Sequence, residues 1–183
     1  MRVVAGTAGG ILLETPRTDI RPTMDRVKSA IFSSLGESVP GARVLDLFAG
    51  SGSLGIEALS RGAVSAVFVE NNAQAVAAIE RNLAKTKLSG KVHQLDLFSF
   101  LDRMTAPQSF DLIFADPPYA KRAGERDFTP ELLASVSLAS ALAADGIFVL
   151  EKLPGKALPN FAGWEVARAK TYGATEVCFL RRA

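Results

Sequence analysis

VLDLFAGSGSLG, residues 44–55, indicates the fold class of this chain, because it joins an apolar run to a glycine-rich loop and then to a helical stretch. The run Val44–Phe48 is short and continuous, as is typical of a strand buried on both faces. Gly50, Gly52 and Gly55 have the spacing G-x-G-x-x-G, which favours a tight turn where the backbone closely approaches a ligand. The spacing alone also fits a plain strand-to-helix turn, so its meaning depends on the surrounding sequence.

Strand and helix patterns alternate beyond this stretch. We predict strands and helices in turn over Val44–Phe48, Ser53–Ser60, Ala66–Val69, Asn72–Lys87, Val92–Leu95, Phe98–Met104, Phe110–Ala115, Pro130–Leu142 and Gly146–Glu151. Trp164–Thr171 and Glu176–Arg181 are expected to close the sheet as an antiparallel pair. This alternation predicts an α/β fold with a mainly parallel sheet and helices on both faces. Ligands of such sheets bind at the carboxyl ends of the strands, where the strand order reverses.

Residues 1–40 have a different pattern. Arg2–Ala5 and Ile11–Thr15 are short strand candidates on either side of a glycine-rich turn, which predicts a hairpin. Thr23 is a candidate cap for a helix that ends near Gly36. We therefore divide the chain into an N-terminal hairpin–helix extension, residues 1–40, and a main domain, residues 41–183.

Composition restricts the function classes. The chain has 183 residues, 48% of them hydrophobic and 22% charged, which suits one globular domain. One cysteine and one histidine exclude a disulfide framework and a multi-cysteine zinc site, and we expect no metal. A net charge of +2 allows a nucleic-acid partner without requiring one. Three glycines interrupt the apolar stretch Val3–Leu13, so we favour a cytoplasmic protein over a secreted one.

Acidic residues lie at the ends of three successive predicted strands: Asp46, Glu70 and Asp96. Glu70 follows Gly50 by 20 residues, a position from which a carboxylate can accept hydrogen bonds from a ribose diol. Asp96 is placed to accept from an adenine amino group. Each acid alone could be a solvated loop residue, but three at one sheet edge favour an adenosine-type site.

Asp46 distinguishes two classes of cofactor. A dinucleotide places its pyrophosphate at the helix N-terminus, where a carboxylate just before the glycine loop would repel it. S-adenosylmethionine carries no phosphate and has a sulfonium and an α-ammonium group. The sequence therefore favours S-adenosylmethionine over NAD.

Asp116-Pro117-Pro118-Tyr119 follows the predicted strand Phe110–Ala115. Two prolines fix the backbone and remove two amide donors, so this loop presents acceptors, namely the Asp116 side chain and the Pro117 carbonyl. Such acceptors suit a planar exocyclic amine, whose delocalised lone pair makes it a poor nucleophile. Tyr119 is a candidate to stack on the base that carries the amine. The motif predicts an amino-methyltransferase more specifically than the glycine loop does.

These motifs resemble those of class I S-adenosylmethionine-dependent amino-methyltransferases. The segments Arg2–Gly6, Arg21–Lys28 and Leu59–Ala63 narrow the resemblance to the RsmD family, whose members methylate N2 of a guanine in 16S ribosomal RNA. The resemblance extends over nearly the whole chain. It implies a Rossmann-like, seven-stranded methyltransferase fold, direct methyl transfer without a covalent enzyme intermediate, and a substrate that is 16S rRNA or the assembling small ribosomal subunit.

The resemblance also implies a role for each motif residue. Gly50, Ser51 and Gly52 would pass beneath the methionine and ribose of the cofactor, Asp46 would orient its amino group, and Glu70 would bind its ribose. Asp96 and the Leu97 amide would hold the adenine. The cofactor-binding set is completed by Phe48, Ala49 and Asn71, and the catalytic set is Asp116, Pro117, Pro118 and Tyr119.

Basic residues near the catalytic edge are candidates to contact RNA phosphates, although each could be part of a solvated face. The candidates are Arg2, Arg21, Arg26, Lys28, Lys121 and Arg122. We expect a monomer with no membrane contact. The alternatives left open are a DNA adenine-N6 or protein-glutamine methyltransferase, an NAD-dependent oxidoreductase and an RNA-binding module without activity.

Overall fold

The computed structural model describes residues 1–15, 24–120, 124–158 and 161–183. Its helices are α1 (Met24–Leu35), α2 (Ser53–Ser60), α3 (Ala73–Thr86), α4 (Leu97–Met104), α5 (Phe128–Ala134) and α6 (Val136–Ala141). Its strands are β1 (Arg43–Leu47), β2 (Ser65–Glu70), β3 (Lys91–Gln94), β4 (Phe110–Ala115), β5 (Leu142–Lys152), β6 (Trp164–Tyr172) and β7 (Thr175–Arg182).

The strands form one seven-stranded sheet in the order β3-β2-β1-β4-β5-β7-β6. Strands β1 to β5 pair in parallel with one another, and β7 runs antiparallel between β5 and β6. The order reverses between β1 and β4, which places a crevice at the carboxyl ends of these two strands. The predicted α/β sheet with an antiparallel closing pair is confirmed.

Alternate residues of the strands supply two apolar cores, one on each face of the sheet. Val44, Phe114 and Val149 pack in the core under α1, α2 and α3. Leu45 and Leu150 pack in the core under α4, α5 and α6. Because residues along a strand alternate between faces, this division also fixes which face each strand-end residue joins.

The N-terminal residues pack on the first of these cores. Val3, Ala8 and Leu13 are buried in it, and a bridge between Arg2 and Leu12 pairs the two arms of the predicted hairpin. The arms form this single bridge rather than two regular strands. The division at residue 40 stays a prediction, and Thr23 lies outside the described residues.

The predicted helix over Pro130–Leu142 is wrong in extent, because the chain forms two short helices there. Ser135 adopts an extended conformation between them and its hydroxyl accepts from the Leu138 amide at 3.1 Å, which begins α6. A serine cap competes with helix continuation in this way. Leu142 already belongs to β5, where it pairs with Phe110.

Residues outside the site have structural roles. Cys178 is buried, and burial raises the pKa of its thiol to about 11, so it is core and not a nucleophile. The Trp164 indole packs against Phe148 and donates to the Leu133 carbonyl at 2.9 Å. Within the described ranges, no helix has the length and apolarity needed to span a bilayer.

Candidate active site

A cavity of about 250 Å³ opens at the carboxyl ends of β1 and β4, at the point where the strand order reverses. The glycine loop and the Asp116–Tyr119 loop both line it. The lining residues include Asp46, Phe48, Ala49, Gly50, Ser51, Asp116, Pro117, Pro118 and Tyr119. The two motifs, separated by more than sixty residues in sequence, thus form two walls of one site.

The amides of the three loop glycines all donate hydrogen bonds to acceptors within the protein. The Gly50 amide donates to Glu70 at 2.8 Å, the Gly52 amide to the Ala49 carbonyl at 2.7 Å, and the Gly55 amide to Asp46 at 2.9 Å. A pyrophosphate at this helix N-terminus would need free amide donors, and it would meet two acidic side chains that already occupy these amides. The loop is therefore built for a ligand without phosphate.

Asp46 is buried beneath the loop, with 1% of its surface exposed. Burial raises the pKa of this carboxyl to about 8; the Gly55 amide opposes the shift, and the nearby charges of Asp116 and Glu70 add to it. A cation in the cavity would relieve this penalty, because an opposite charge favours the ionised carboxylate. The electrostatics thus favour a ligand with an ammonium or sulfonium group.

The local backbone explains two features of the loop sequence. Gly55 lies where α2 crosses β2, and a Cβ there would come within 2.3 Å of the Phe68 ring, so only glycine allows this close packing. Phe48 has φ +55°, a left-handed conformation that bulky residues rarely adopt. Its ring packs edge-on against Phe128 at 4.9 Å, which helps to hold the strained residue at the cavity wall.

The catalytic-loop candidates follow β4 directly. Pro117 is buried, Pro118 is exposed, and Asp116 and Tyr119 are half-buried. The Tyr119 hydroxyl lies 3.1 Å from Thr175 Oγ1, at the first residue of β7. Thr175 also lines the cavity, so the β6–β7 turn forms part of the site.

Asp116 and Glu151 lie side by side after two adjacent strands, and Asp46 lies on the third strand, two residues lower, at the level of Phe114. Ala115 pairs with Leu150 in parallel register, so Asp116 and Glu151 follow at the same level on strands that lie about 4.8 Å apart. All three acids line the cavity. Sequence reasoning missed Glu151 and Thr175, although an acid at the end of the predicted strand Gly146–Glu151 was a usable signal.

Five predicted cofactor residues lie outside the cavity lining: Gly52 of the glycine loop, and Glu70, Asn71, Asp96 and Leu97 at the ends of β2 and β3. Glu70 accepts from the Gly50 and Asn72 amides, each at 2.8 Å, and its remaining lone pairs can accept further hydrogen bonds. Asp96 caps α4 by accepting from the Ser99 amide at 3.0 Å. Asn71 is exposed and Leu97 is buried. The four residues at the ends of β2 and β3 lie on the side of the site away from Tyr119.

Arg126 lies close enough to Asp96 for their charges to interact, and it joins two aromatic side chains at this edge of the site. The Arg126 guanidinium lies over the rings of Phe98 and Phe128, at 5.5 and 4.5 Å from their centres, and pairs with Glu131. Phe128 in turn contacts Phe48 of the cavity wall. This edge of the site therefore offers flat apolar surfaces beside an acid.

The six basic residues predicted to contact RNA lie in different environments. Arg2 and Arg26 are exposed, and Arg2 lies 3.9 Å from Asp25. Arg21, Lys121 and Arg122 lie outside the described residues. Lys28 was wrongly predicted to contact RNA, because only 3% of it is exposed and its ammonium is bound inside the protein.

Lys28 instead belongs to a buried network that fastens the N-terminal segment. Its ammonium donates to the Arg2 carbonyl at 2.6 Å and to Ser53 Oγ at 2.9 Å, and lies 3.5 Å from Glu57. Glu57 is fully buried and accepts from the Val4 amide at 2.6 Å. Charged residues this deep in a protein are paired, and here the pairing joins residues 2–4 to the start of α2.

The sheet order, the glycine loop and the position of the cavity define a class I methyltransferase fold. Residues 1–181 match the family described as "Conserved hypothetical protein 95", and the chain belongs to this family, the RsmD family.

Similar proteins include the Escherichia coli K12 "Ribosomal RNA small subunit methyltransferase D", which is 34% identical over 94% of this chain and 85% of its own. A solved hypothetical protein from Thermus thermophilus is 31% identical, with a TM-score of 0.80 over 99% of both chains. SMU.776, solved as a complex with SAH, shares the fold at 14% identity, with a TM-score of 0.66 over 90% of this chain and 50% of its own.

Proposed function

We propose that this protein transfers a methyl group from S-adenosylmethionine to the exocyclic N2 amine of a guanine in 16S ribosomal RNA. The observation that carries the proposal is the single cavity shared by the glycine loop, with its buried Asp46, and the Asp116–Tyr119 loop. The relatives named as small-subunit rRNA methyltransferases support the choice of substrate.

The residues of the cavity fit S-adenosylmethionine. Asp46 would face its ammonium, Gly50 at the cavity wall allows the backbone to pass closely beneath it, and no amide of the three loop glycines is left for a phosphate. We place the adenine and ribose beyond the cavity, against Glu70, Asp96 and the aromatic edge. When bound, the cofactor supplies an electrophilic methyl group on a good leaving group.

The chain's own task is to prepare the acceptor amine. Asp116 and the Pro117 carbonyl would accept its two N–H hydrogens, which favours a pyramidal nitrogen whose lone pair points at the methyl carbon. Tyr119 would hold the base plane by stacking. The bound cofactor would supply the methyl group and depart as the neutral thioether, and Asp116 would accept the proton that the methylated nitrogen releases. Positioning and charge stabilisation of this kind need no covalent enzyme intermediate.

RNA binding would use the exposed basic side chains near the cavity. Arg26 is exposed and directly precedes Val27, which lines the cavity. A base must leave its stack to reach an enclosed site, which suits an unpaired or extruded guanine. We propose the small ribosomal subunit or its 16S rRNA as the partner, in the cytoplasm.

The test is methyl mapping of ribosomal RNA. Mass spectrometry of 16S rRNA from cells lacking the protein should show one N2-methylguanine missing, and the wild-type gene should restore it. Incubation of small subunits from these cells with tritiated S-adenosylmethionine should label that nucleotide. Unchanged rRNA, with label in DNA or protein fractions instead, would identify one of the other amino-methyltransferases.

Calorimetry distinguishes the proposed methyltransferase from the remaining alternative, an NAD-dependent oxidoreductase. We expect S-adenosylhomocysteine to bind and NAD to give no heat, because Asp46 and Glu70 occupy the loop amides that a pyrophosphate needs. Binding of NAD in preference would overturn the proposed cofactor.

A further inference from the structure

The structure assigns to Glu151 the recognition of the guanine N1–H, which makes it the residue that selects guanine over adenine. This inference rests on the proposed function and deepens it. It concerns a cavity-lining acid that neither the glycine loop nor the Asp116–Tyr119 loop contains.

The placement of Glu151 is the first argument. Ala115 pairs with Leu150, so Asp116 and Glu151 are the next residues on two neighbouring parallel strands. Phe114 and Val149 both pack in the core under α1 to α3, and alternation puts Asp116 and Glu151 on that same face. Two carboxylates thus stand side by side at the wall that receives the acceptor amine.

The chemistry of the base is the second argument. Guanine presents two adjacent kinds of donor on one edge, the N2 amine and the N1–H. Adenine presents its N6 amine beside N1, which is an acceptor. An ionised carboxylate only accepts hydrogen bonds. With Asp116 on the amine, Glu151 on the neighbouring strand meets N1–H in guanine and a repelling lone pair in adenine.

The surroundings of Glu151 are consistent with this role. It is half-buried, and its strand neighbour across the antiparallel pair, Val177, is fully buried. A carboxylate has about four acceptor positions, so a contact within the protein leaves capacity for the base. The acid sits on a strand between two others, which fixes its position better than a loop would.

The experiment compares guanosine with 2-aminopurine riboside, which keeps the N2 amine but has an unprotonated, accepting N1. Each is placed at the mapped nucleotide by ligating a synthetic fragment into 16S rRNA, which is assayed free and after assembly into the small subunit. We expect wild-type enzyme to prefer guanosine by about 10–100-fold in kcat/KM, the effect of one hydrogen bond to a charged group.

Glu151→Gln keeps the size of the side chain and adds an amide donor. We expect its preference for guanosine to fall to about 3-fold or less, while affinity for S-adenosylhomocysteine stays unchanged. Glu165→Gln is the matched control, since Glu165 is exposed on the edge strand β6 and its variant should keep the wild-type preference.

The possible outcomes distinguish failure of the proposed function from failure of the role assigned to Glu151. Transfer to neither RNA would contradict the proposed function. Equal rates of wild-type enzyme on guanosine and 2-aminopurine would overturn the role of Glu151, and this result needs no variant to fold. An undiminished preference in a folded Glu151→Gln enzyme that binds S-adenosylhomocysteine would overturn it equally.

Discussion

The Tyr119 hydroxyl and Thr175 Oγ1 lie 3.1 Å apart, which ties the loop after β4 to the first residue of β7. Thr175 is buried and Tyr119 is half-buried, so the contact lies at the wall of the cavity. The tie fixes the direction of an aromatic ring at the cavity wall, which a loop of two prolines alone would not do.

Replacement of Thr175 by Val should therefore impair use of the RNA and not of the cofactor. The change keeps the shape and removes one hydrogen bond, worth about 0.5–1.5 kcal/mol, so we expect kcat/KM for RNA to fall about 2–10-fold. Affinity for S-adenosylhomocysteine, measured by calorimetry, should stay the same. Thr175→Ser keeps the hydroxyl and should retain activity; equal losses in both variants would contradict a role through Tyr119.

Asp116→Asn should slow the chemical step. The amide keeps the shape of the side chain but loses the charge beside the amine, and we expect single-turnover methyl transfer to fall about 10²–10³-fold. Cofactor affinity should change by less than about 3-fold, because the role proposed for Asp116 is to bind the acceptor base and not the cofactor. The control is Asp145→Asn, an exposed position away from the cavity. A matching loss of cofactor affinity would show that Asp116 holds the cofactor instead.

Asp46 should make cofactor binding depend on pH. Its pKa is about 8 in the folded protein against 3.8 normally, so the free protein holds this proton at neutral pH. A bound cation would lower the pKa again, and binding should then release a proton below pH 8 and tighten as pH rises toward 8. Calorimetry in two buffers of different ionisation enthalpy measures the released proton. Asp46→Asn should abolish the release and weaken binding about 10–100-fold.

The same shift predicts how stability changes with pH in the absence of ligand. A carboxyl whose folded pKa is raised binds its proton more tightly when folded, so its contribution is complete below about pH 4 and is lost as pH rises to about 8. The free energy of unfolding from urea titrations should show a smaller decline over this range for Asp46→Asn. An identical decline in both proteins would show that Asp46 keeps an ordinary pKa.

Gly55→Ala tests which of two opposed effects is larger. Alanine favours a helix over glycine by about 0.8–1 kcal/mol, but its Cβ would lie 2.3 Å from the Phe68 ring. Overpacking of a core costs about 1–3 kcal/mol, so we expect net destabilisation in urea unfolding. Phe68→Leu should partly rescue Gly55→Ala by making room. A more stable Gly55→Ala protein would mean that α2 shifts freely on β2.

The sequence predicted the elements that follow local rules and missed those that depend on tertiary contacts. The strand Phe110–Ala115 and the helix Ser53–Ser60 were predicted with the observed bounds. The break at Ser135 was missed because the apolar pattern continues through it. Lys28 was misassigned because a lysine in sequence does not reveal a buried glutamate, Glu57, twenty-nine residues further on.

The site residues likewise could be predicted where they belong to a local motif, and not where tertiary contacts bring them together. Asp46 and Asp116 could be found because each stands beside a motif of distinctive residues. Glu151 and Thr175 could not be found in that way, because their proximity to Asp116 is set by the strand order β4-β5-β7 and by register. The sequence also could not predict that Glu70 accepts a hydrogen bond from an amide of the glycine loop.

The neighbouring acids Asp116 and Glu151 have a consequence for how a long polyanion approaches the protein. Negative charge at the floor of the crevice repels the sugar–phosphate chain but admits an uncharged ring, so the strand must stay at the mouth while a single nucleobase swings inward. The crevice thus acts as a charge filter, and a neutral or cationic purine mimic should enter it more readily than the same purine carrying a phosphate.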